Sequence, residues 1–407
     1  MNFWAPLYHS LMTSFLCIAG RKLLIKDIKG LKIENTFKLY HDRISKLFNL
    51  LSNSDKHPDN YTIFKDENIF YLTGFYGKDS NSILFISSKN KLLLVNFIYY
   101  EEAKRTCSEL GIEVVLYKKN RLKELAQKFL TLKTSVIGIE GDQVDYISFL
   151  KLRNLLRPSG KRIIGKRGII EKLRLIKHPV ELENVRNACR ITDKVFKVLL
   201  SKSQDQVKRS TELELGLKIE RLMIKTGGYG RSFDFVIANG TGSSMPHYIT
   251  GHNKIKSGVL LMDFGTVYKN YCSDITRTVF IGKKPLDDKL KKIYHIVLTA
   301  QQKAIEACKE GLTCGELDSK ARKYITEMGY GEEFGHSLGH GVGLEVHEGP
   351  SIAKSNDIIL KENMVITIEP GIYIPGLGGI RIEDMIVVKK NGCENLYSSK
   401  KEFTIIS

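Results

Sequence analysis

The stretch that decides the fold is GHSLGHGVGLEVHEGP, residues 335–350. It places three of the chain's ten histidines, His336, His340 and His347, within twelve residues and separates them with glycines. A glycine-rich backbone has few side chains of its own, so other groups can approach it closely. Imidazole is the side chain that titrates near neutral pH and is also a frequent metal ligand. The stretch therefore predicts a crowded polar site.

Four carboxylates elsewhere in the chain occur where a strand is expected to be apolar. Asp263 lies in LLMDFG and Asp274 in CSDITRT, and a turn near residues 268–270 predicts a hairpin that presents both on one face. Glu369, in VITIEPG, and Glu383, in GIRIEDM, lie on strands joined through IYIPGLGG. Because a buried carboxylate is costly unless a positive charge compensates it, four of them indicate more than one cation.

His340, in GHGVG, adds a nitrogen ligand to this oxygen-rich set. One imidazole with four carboxylates favours Mn²⁺, Fe²⁺, Co²⁺ or Zn²⁺ over a thiolate-type site. Bridging carboxylates would hold two such ions about 3–4 Å apart, the spacing of two-metal hydrolases. These residue types therefore predict a dinuclear metal centre.

The composition is typical of a globular protein in a reducing compartment. The chain has 407 residues, of which 42% are hydrophobic and 27% charged, and its length favours two domains. Lysines and arginines spread along the whole chain give a net charge of +18, which indicates a solvated basic surface and no specific nucleic-acid partner. Seven cysteines without a CxxC motif predict reduced thiols and a cytoplasmic location.

The first twenty residues, MNFWAPLYHSLMTSFLCIAG, contain no Lys, Arg, Asp or Glu. A signal or anchor segment is one interpretation, but no basic region precedes the run, and Pro6 and His9 interrupt it. A docking tail and an upstream start codon are the alternatives. No other stretch is long and apolar enough to span a bilayer, so no membrane association is expected.

From about residue 33 to residue 165, short β-rich runs alternate with amphipathic stretches, which predicts an α/β domain. The predicted strands are YTIF (61–64), NIFYL (68–72), SILFIS (82–87), LLLVNF (92–97) and SVIGIE (135–140). Helical periods fit residues 36–51, 99–110, 120–130 and 143–156. The basic, glycine-punctuated segment SGKRIIGKRG (159–168) predicts the domain boundary.

The rest of the chain mixes helices with antiparallel hairpins, which predicts an α+β domain. One helix is expected to start at Pro179 with His178 as its cap. Thr-x-x-Glu capping boxes at Thr211 and Thr313 predict two more helix starts. Another helix is expected over about residues 287–310.

Together these stretches closely resemble metallopeptidase family M24, the creatinase/methionine aminopeptidase superfamily, and within it the Xaa-Pro aminopeptidase and prolidase branch. The motifs are MDFG…SDITRT, H-x-x-x-H-G-V-G-L-x-V-H-E, TIEPG and RIED, and the resemblance covers about residues 35–407. It implies an α+β pita-bread catalytic domain over residues 166–407. A smaller creatinase-type α/β domain, residues 35–165, and an extension, residues 1–34, precede it.

The resemblance also implies a ligand set of five residues. Asp263 corresponds to the bidentate ligand of one metal ion. Asp274 and Glu383 correspond to the carboxylates that bridge both ions. His340 and Glu369 correspond to ligands of the other ion, and Glu369 also resembles the general base or proton shuttle.

Four further residues match positions that act on the substrate or orient the ligands. His247 matches a histidine that stabilises the transition state or the leaving group, and His347 matches one near the substrate carbonyl. Arg381 resembles the arginine that orients the bridging ligands, and His336 matches a histidine that lines the site.

The implied reaction is hydrolysis of the bond between an N-terminal residue and proline. A hydroxide that bridges two divalent cations, with Mn²⁺ the expected metal, would attack the carbonyl carbon. Glu369 would take the water proton and pass it to the proline nitrogen. Expected substrates are small proline-containing peptides, since the N-terminal domain is expected to restrict access and to contribute to a homodimer.

Several alternatives stay open at the level of sequence. A metal-free binding protein on the same fold would suit the basic charge, and a creatinase-type hydrolase would use histidine without metal. Both are disfavoured because none of the five ligand positions is substituted. Within the Xaa-Pro branch, the sequence does not distinguish an aminopeptidase from a dipeptidase.

Overall fold

The computed structural model describes residues 22–52, 58–282 and 287–407, with side chains from residue 37 onward. The interpretations of the first twenty residues therefore lie outside the described part of the chain. The chain divides into two compact units, residues 1–169 and 170–407. None of the described helices is long and apolar enough to cross a membrane.

The first unit contains a mixed six-stranded sheet in the order β4-β3-β2-β1-β5-β6. Its described strands are β1 (Asn60–Ile63), β2 (Ile83–Ser87), β3 (Lys91–Val95), β4 (Glu113–Leu116), β5 (Val136–Glu140) and β6 (Arg162–Lys166). Its described helices are α1 (Lys22–Ser52), α2 (Asp66–Thr73), α3 (Tyr100–Cys107), α4 (Arg121–Leu130) and α5 (Tyr146–Leu156). The contacts β1–β2 and β2–β3 are antiparallel and the other three are parallel, so the predicted α/β class is confirmed.

The prediction of a strand at residues 68–72 is wrong, because these residues form most of α2. Asp66 and Glu67 occupy the first turn, where carboxylates interact favourably with the helix dipole. Gly74 ends the helix in the left-handed conformation, at φ 76°. The run looked strand-like because the helix is short and buried on several sides, which removes the polar face that marks a helix.

The basic segment 159–168 contains a strand that was not predicted from the sequence. Residues Arg162–Lys166 form β6, which pairs in parallel with β5. None of the five residues of this edge strand is fully buried, which explains why its charged residues are compatible with a sheet.

The second unit is α+β, as predicted. Its helices are α6 (Ile169–Arg174), α7 (Pro179–Leu200), α8 (Gln204–Lys208), α9 (Glu212–Lys225), α10 (Asp288–Ala307) and α11 (Cys314–Glu327). Its first strands are β7 (Val236–Asn239), β8 (Gly258–Phe264), β9 (Val267–Tyr268), β10 (Tyr271–Cys272) and β11 (Ile275–Ile281). The later strands are β12 (Gly339–Gly341), β13 (Glu348–Ile352), β14 (Val365–Ile368), β15 (Gly371–Ile374), β16 (Gly378–Arg381), β17 (Asp384–Lys389), β18 (Gly392–Asn395) and β19 (Ile405–Ile406).

The predicted helix starts of the second unit are confirmed by their caps. His178 caps α7 in a capping box with Glu181, and Pro179 occupies the first turn. Thr211 caps α9: its Oγ1 accepts a hydrogen bond from the Glu214 backbone N–H at 3.1 Å, and the Glu214 carboxylate accepts one from the Thr211 N–H at 2.7 Å. The same reciprocal pair starts α11 at Thr313.

Two mostly antiparallel sheets organise the second unit, in the orders β19-β11-β8-β7 and β13-β12-β14-β17-β18, with β11 and β19 paired in parallel. Strands β8 and β11 are linked through the small β9–β10 hairpin, whose turn residues Lys269 and Asn270 have φ of 47° and 68°. A cluster of buried core residues packs α10 and α11 against the second sheet and includes Val297, Ile366 and Ile386. This packing holds the strand ends that carry the polar residues.

We expect the Thr211→Ala variant to lose about 1 kcal/mol of unfolding free energy, because the N-terminal N–H groups of α9 lose their side-chain acceptor. The measurement is urea unfolding followed by circular dichroism. Thr211→Ser keeps the hydroxyl and is the matched control. An alanine variant as stable as the serine variant would contradict the capping role.

Candidate active site

All nine residues singled out in the sequence line one cavity of about 390 Å³ in the second unit. Phe233, Asp234, Val236, Pro246 and Ser337 complete its wall. The sequence analysis did not single out these five, because four of them are apolar or small and the fifth, Asp234, is an ordinary exposed acid. The structure thus brings the nine predicted site residues together, and the roles of these residues stay predictions.

The strands bring the four carboxylates together from two hairpins. Asp263 lies in β8 and is paired across the sheet with Thr276 of β11, while Asp274 directly precedes β11. Glu369 follows the end of β14, and Glu383 precedes the start of β17. Since Ile368 and Asp384 are paired partners, Glu369 and Glu383 leave the sheet at the same end.

His340, in β12, lies among these acids. Its Nε2 atom is 3.2 Å from Oε1 of Glu369 and 3.7 Å from Oδ2 of Asp274. Ligand atoms of Asp274, His340 and Glu383 all lie within 4.8 Å of one another, a spacing that suits a metal ion. The His340 Nδ1 atom is 3.1 Å from the Gly341 carbonyl oxygen, so a proton on Nδ1 would leave Nε2 free as a ligand.

Three carboxylate oxygens of this cluster are buried without a hydrogen-bond partner: Asp263 Oδ1, Asp274 Oδ1 and Glu383 Oε1. Buried carboxylate oxygens nearly always have a partner, because an unsatisfied one is strongly destabilising. Oxygen atoms that converge on one cavity with a free imidazole nitrogen are the donor set of divalent cations. The residues present therefore fit a bound metal.

Burial raises the pKa of both Asp274 and Glu383 well above the usual range, and the charges of the neighbouring carboxylates raise it further. Glu369 behaves differently. Burial raises its pKa, but the hydrogen bond and charge of His340, with Arg381, outweigh burial and lower the pKa of Glu369 to about 2. Without a further cation, the cluster cannot hold all its carboxylates ionised at low cost.

Arg381 is the one buried guanidinium among the cavity's lining residues. Its Nη2 donates to Oδ2 of Asp263 at 2.6 Å, and its Nη1 donates to the Tyr373 hydroxyl at 2.9 Å. Its Nε donates to Thr276 Oγ1 at 3.0 Å. Arg381 therefore compensates one carboxylate directly, whereas no lysine or arginine among the described residues forms a salt bridge with the Asp274 or Glu383 carboxylate.

Two buried threonines that the sequence analysis missed hold the acids in place. Thr276 Oγ1 donates to Oε2 of Glu383 at 2.7 Å while it accepts from Arg381. Thr367 Oγ1 donates to Oε1 of Glu369 at 3.1 Å and accepts from the His340 backbone N–H at 3.0 Å. The sequence signal that could have identified them is spacing, since side chains two residues apart along a strand point to the same side. Thr276 lies two residues after Asp274, and Thr367 lies two residues before Glu369.

The three remaining histidines occupy different environments. His336 is held by the Ser337 carbonyl oxygen at 2.7 Å and the Tyr373 hydroxyl at 3.1 Å, and burial lowers its pKa. The ring of His347 lies 4.4 Å from that of His340, and the partial desolvation of the His347 ring, with the nearby charge of His340, lowers the pKa of His347. His347 and His247 are the exposed histidines of the wall, so their rings are accessible to a bound molecule.

Two glycines of residues 339–343 allow neighbouring backbone segments to approach closely. A Cβ atom on Gly339 would overlap the Thr367 carbonyl oxygen, and one on Gly341 would overlap the Gly349 carbonyl oxygen. Strand β12 is therefore held between β13 and β14 at a distance that only glycine permits.

Sequence profiles identify two regions of the chain. The profile of Metallopeptidase family M24 matches residues 183–390, and that of the Creatinase/Prolidase N-terminal domain matches residues 43–176. The chain is 38% identical to the Xaa-Pro dipeptidase of Pyrococcus furiosus over 89% of its own length and 99% of the relative's. These matches agree with the motifs of the cavity.

Solved structures give the same result. The Xaa-Pro dipeptidase of Bacillus anthracis matches with a TM-score of 0.83 and 37% identity, over 90% of this chain and 99% of that one. The X-Pro aminopeptidase of Thermotoga maritima matches with a TM-score of 0.76 and 36% identity, over 86% and 97% of the two chains. The predicted combination of a creatinase-type N-terminal domain with a pita-bread catalytic domain is confirmed.

A buried ionic cluster anchors the segment that carries His347. Glu348 accepts hydrogen bonds from Lys177 Nζ at 2.7 Å and from Arg174, whose guanidinium also contacts Glu345 at 2.8 Å. The side chains of Glu348, Lys177 and Arg174 are 5%, 1% and 3% exposed, so water does not screen them. Burial raises the pKa of Glu348, but the charges of Lys177 and Arg174 hold it below its usual range.

We expect Glu348→Gln to lower the unfolding free energy at pH 7 by about 3 kcal/mol or more, because two buried cations lose a charged partner. Since the folded pKa lies below the unfolded one, the wild-type contribution is present above the unfolded pKa. It is lost as pH falls through the folded pKa.

The measurement is urea unfolding at several pH values between 7 and 3. The difference between variant and wild type should shrink toward acid. Glu394→Gln breaks a half-exposed pair with Arg186 and is the control, with an expected loss below about 1 kcal/mol. Equal losses of unfolding free energy for the two variants at pH 7 would contradict a stabilising role of the buried Glu348 cluster.

Proposed function

Because the chain belongs to metallopeptidase family M24, we propose that it is a metal-dependent hydrolase that cleaves the bond between an N-terminal residue and proline. The observation that carries the proposal is the buried cluster of four carboxylates with His340, in which three oxygens lack partners. The names of the relatives, Xaa-Pro dipeptidase and X-Pro aminopeptidase, support the substrate class.

We propose that the cluster holds two divalent cations, with Mn²⁺ as the expected metal. Asp274 and Glu383 would contact both ions, Asp263 would complete one site, and His340 with Glu369 would complete the other. Bound there, the ions would lower the pKa of water so that it acts as a nucleophile at neutral pH.

The chain's own residues would supply the remaining steps. Glu369 would accept the proton of the attacking water and deliver it to the departing nitrogen. His247 and His347, exposed in the cavity wall, would donate hydrogen bonds to the substrate oxygen on which negative charge develops. Arg381 would keep Asp263 in place without contacting the substrate.

Proline determines what this site can recognise. The bond before proline is a tertiary amide and has no N–H to donate, so it cannot be selected by a hydrogen-bond acceptor. The apolar wall residues Phe233, Val236 and Pro246 would instead select the ring by shape. Selection by shape extends to other residues of similar size, so specificity for proline is relative.

Other properties are proposed from the composition of the chain and from the resemblance. We propose that the protein acts in the cytoplasm as a homodimer on small proline-containing peptides, without a specific nucleic-acid partner. A metal-free binding protein or a creatinase-type hydrolase has no use for a complete set of five metal ligands, which argues against both alternatives.

The test is product analysis with Ala-Pro and Ala-Pro-Ala, using protein stripped by a chelator and assayed with and without added Mn²⁺. We expect cleavage only after metal is restored, since the carboxylate cluster needs the ions to be functional. Bound metal is counted independently by elemental analysis, with two ions expected per chain.

Each outcome has a distinct meaning. Cleavage of the tripeptide identifies an aminopeptidase, and cleavage of the dipeptide alone identifies a dipeptidase. Two bound ions without cleavage of either peptide would refute the proline specificity. Absence of bound metal would refute the metal-dependent mechanism.

We further expect Thr276→Val to weaken Mn²⁺ binding about tenfold or more, because residues that orient metal ligands contribute this much to affinity. The variant removes the hydroxyl that holds both Glu383 and Arg381. The measurement is titration calorimetry on metal-stripped protein, with Thr276→Ser as the conservative control. Affinity unchanged in the valine variant would show that Thr276 does not position the ligands.

A further inference from the structure

A second cavity, separate from the candidate active site, lies in the second unit and measures about 510 Å³. The end of α7, part of α8 with the residues that follow it, and one side of α9 form its walls, and β8 with β19 forms its floor. This volume lies within the range of about 300–1,000 Å³ that is usual for pockets binding small molecules. No role in the proposed peptidase reaction accounts for it.

The floor of this cavity is apolar. Leu260 and Met262 of β8 contribute to it, each about 1% exposed, together with Ile406 of β19. Successive side chains of a strand point to opposite faces, so these two lie on the face of β8 opposite Asp263. The cavity and the candidate active site are therefore on opposite sides of one strand.

The rim of the cavity is cationic. None of the fifteen residues that line the cavity is acidic. Five of them are exposed lysines or arginines: Lys202, Arg209, Lys218, Arg221 and Lys225. Three of them follow one side of α9 at helical spacing, interleaved with Leu215 and Leu222. Among the described residues, none of the five forms a salt bridge with a carboxylate, although Lys218 Nζ donates to Ser210 Oγ.

We propose that this cavity binds a small amphipathic anion, an acyl chain that ends in a carboxylate. The chain would lie on Leu260, Met262 and Ile406, where its burial removes apolar surface from water. The carboxylate would contact the amino and guanidinium groups of Lys218, Arg221 and Lys225 on α9, which form no salt bridge among the described residues. An uncharged or cationic ligand would leave the rim uncompensated, so charge complementarity selects the anion.

The test is titration calorimetry of the full-length, metal-loaded protein with dodecanoate below its micellar concentration. We expect saturable binding of one dodecanoate per chain, and no binding of dodecanol or dodecyltrimethylammonium at the same concentrations. The double variant Arg221→Glu/Lys225→Glu should bind at least about tenfold more weakly, which corresponds to the loss of a charge-assisted contact.

The control is Lys309→Glu/Lys320→Glu, which makes the same charge change at exposed positions outside the cavity and should bind dodecanoate as the wild type does. Thermal melting of both variants without ligand checks that each is folded. Dodecanol binding as tightly as dodecanoate, or equal affinity in the two double variants, would overturn the proposal.

Failure to bind dodecanoate at all would also overturn it. In that case light scattering measures the oligomeric state of the wild type and of the Arg221→Glu/Lys225→Glu variant, which tests whether a second copy of the chain covers the cavity. A change of oligomeric state in the variant alone would assign the cavity to contact with a second copy of the chain. Binding is measured without peptide substrate, so the result is independent of the proposed peptidase activity.

Discussion

The constraint on which the second unit depends is the burial of four carboxylates around one arginine. Arg381 forms a salt bridge only with Asp263, and no lysine or arginine in the described part of the chain pairs with the Asp274 or Glu383 carboxylate. A fold can tolerate such a cluster only if the surrounding structure holds the acids apart from apolar neighbours and a cation binds between them. Three features hold the acids in place: the two hairpins, the buried threonines Thr276 and Thr367, and the closely packed strand β12.

A second layer of buried charge lies beneath the first. Arg277 forms an ion pair with Asp384 at 2.7 Å, and both side chains are almost fully buried. Lys401 and Asn395 also donate to Asp384, which satisfies both of its oxygens. Since Asp384 follows Glu383 directly, this satisfied pair fixes the backbone from which the unsatisfied carboxylate projects. Asp384 thus stabilises the backbone directly beside Glu383, a residue of the proposed metal site.

The parts of the fold that sequence predicted are those with local physical signals. Capping boxes at Thr211 and Thr313 are complete within four residues, and both helices begin where the boxes indicate. Residues 68–72 were predicted wrongly because a short buried helix has no polar face to reveal its period. Acids in apolar strands revealed the site, whereas Thr276 and Thr367 were missed because threonine is an ordinary strand residue. Their importance depends on contacts across the fold, with Glu383 and the His340 backbone.

The wide spacing of the carboxylates along the chain has a consequence for biosynthesis. Asp263 and Asp274 leave the ribosome on the order of ten seconds before Glu383, since translation adds roughly 5–20 residues each second. During that interval the β8–β11 hairpin exists without β14 and β17, the strands that bring the other half of the cluster. The nascent chain therefore cannot present a complete cation site until synthesis has passed Glu383.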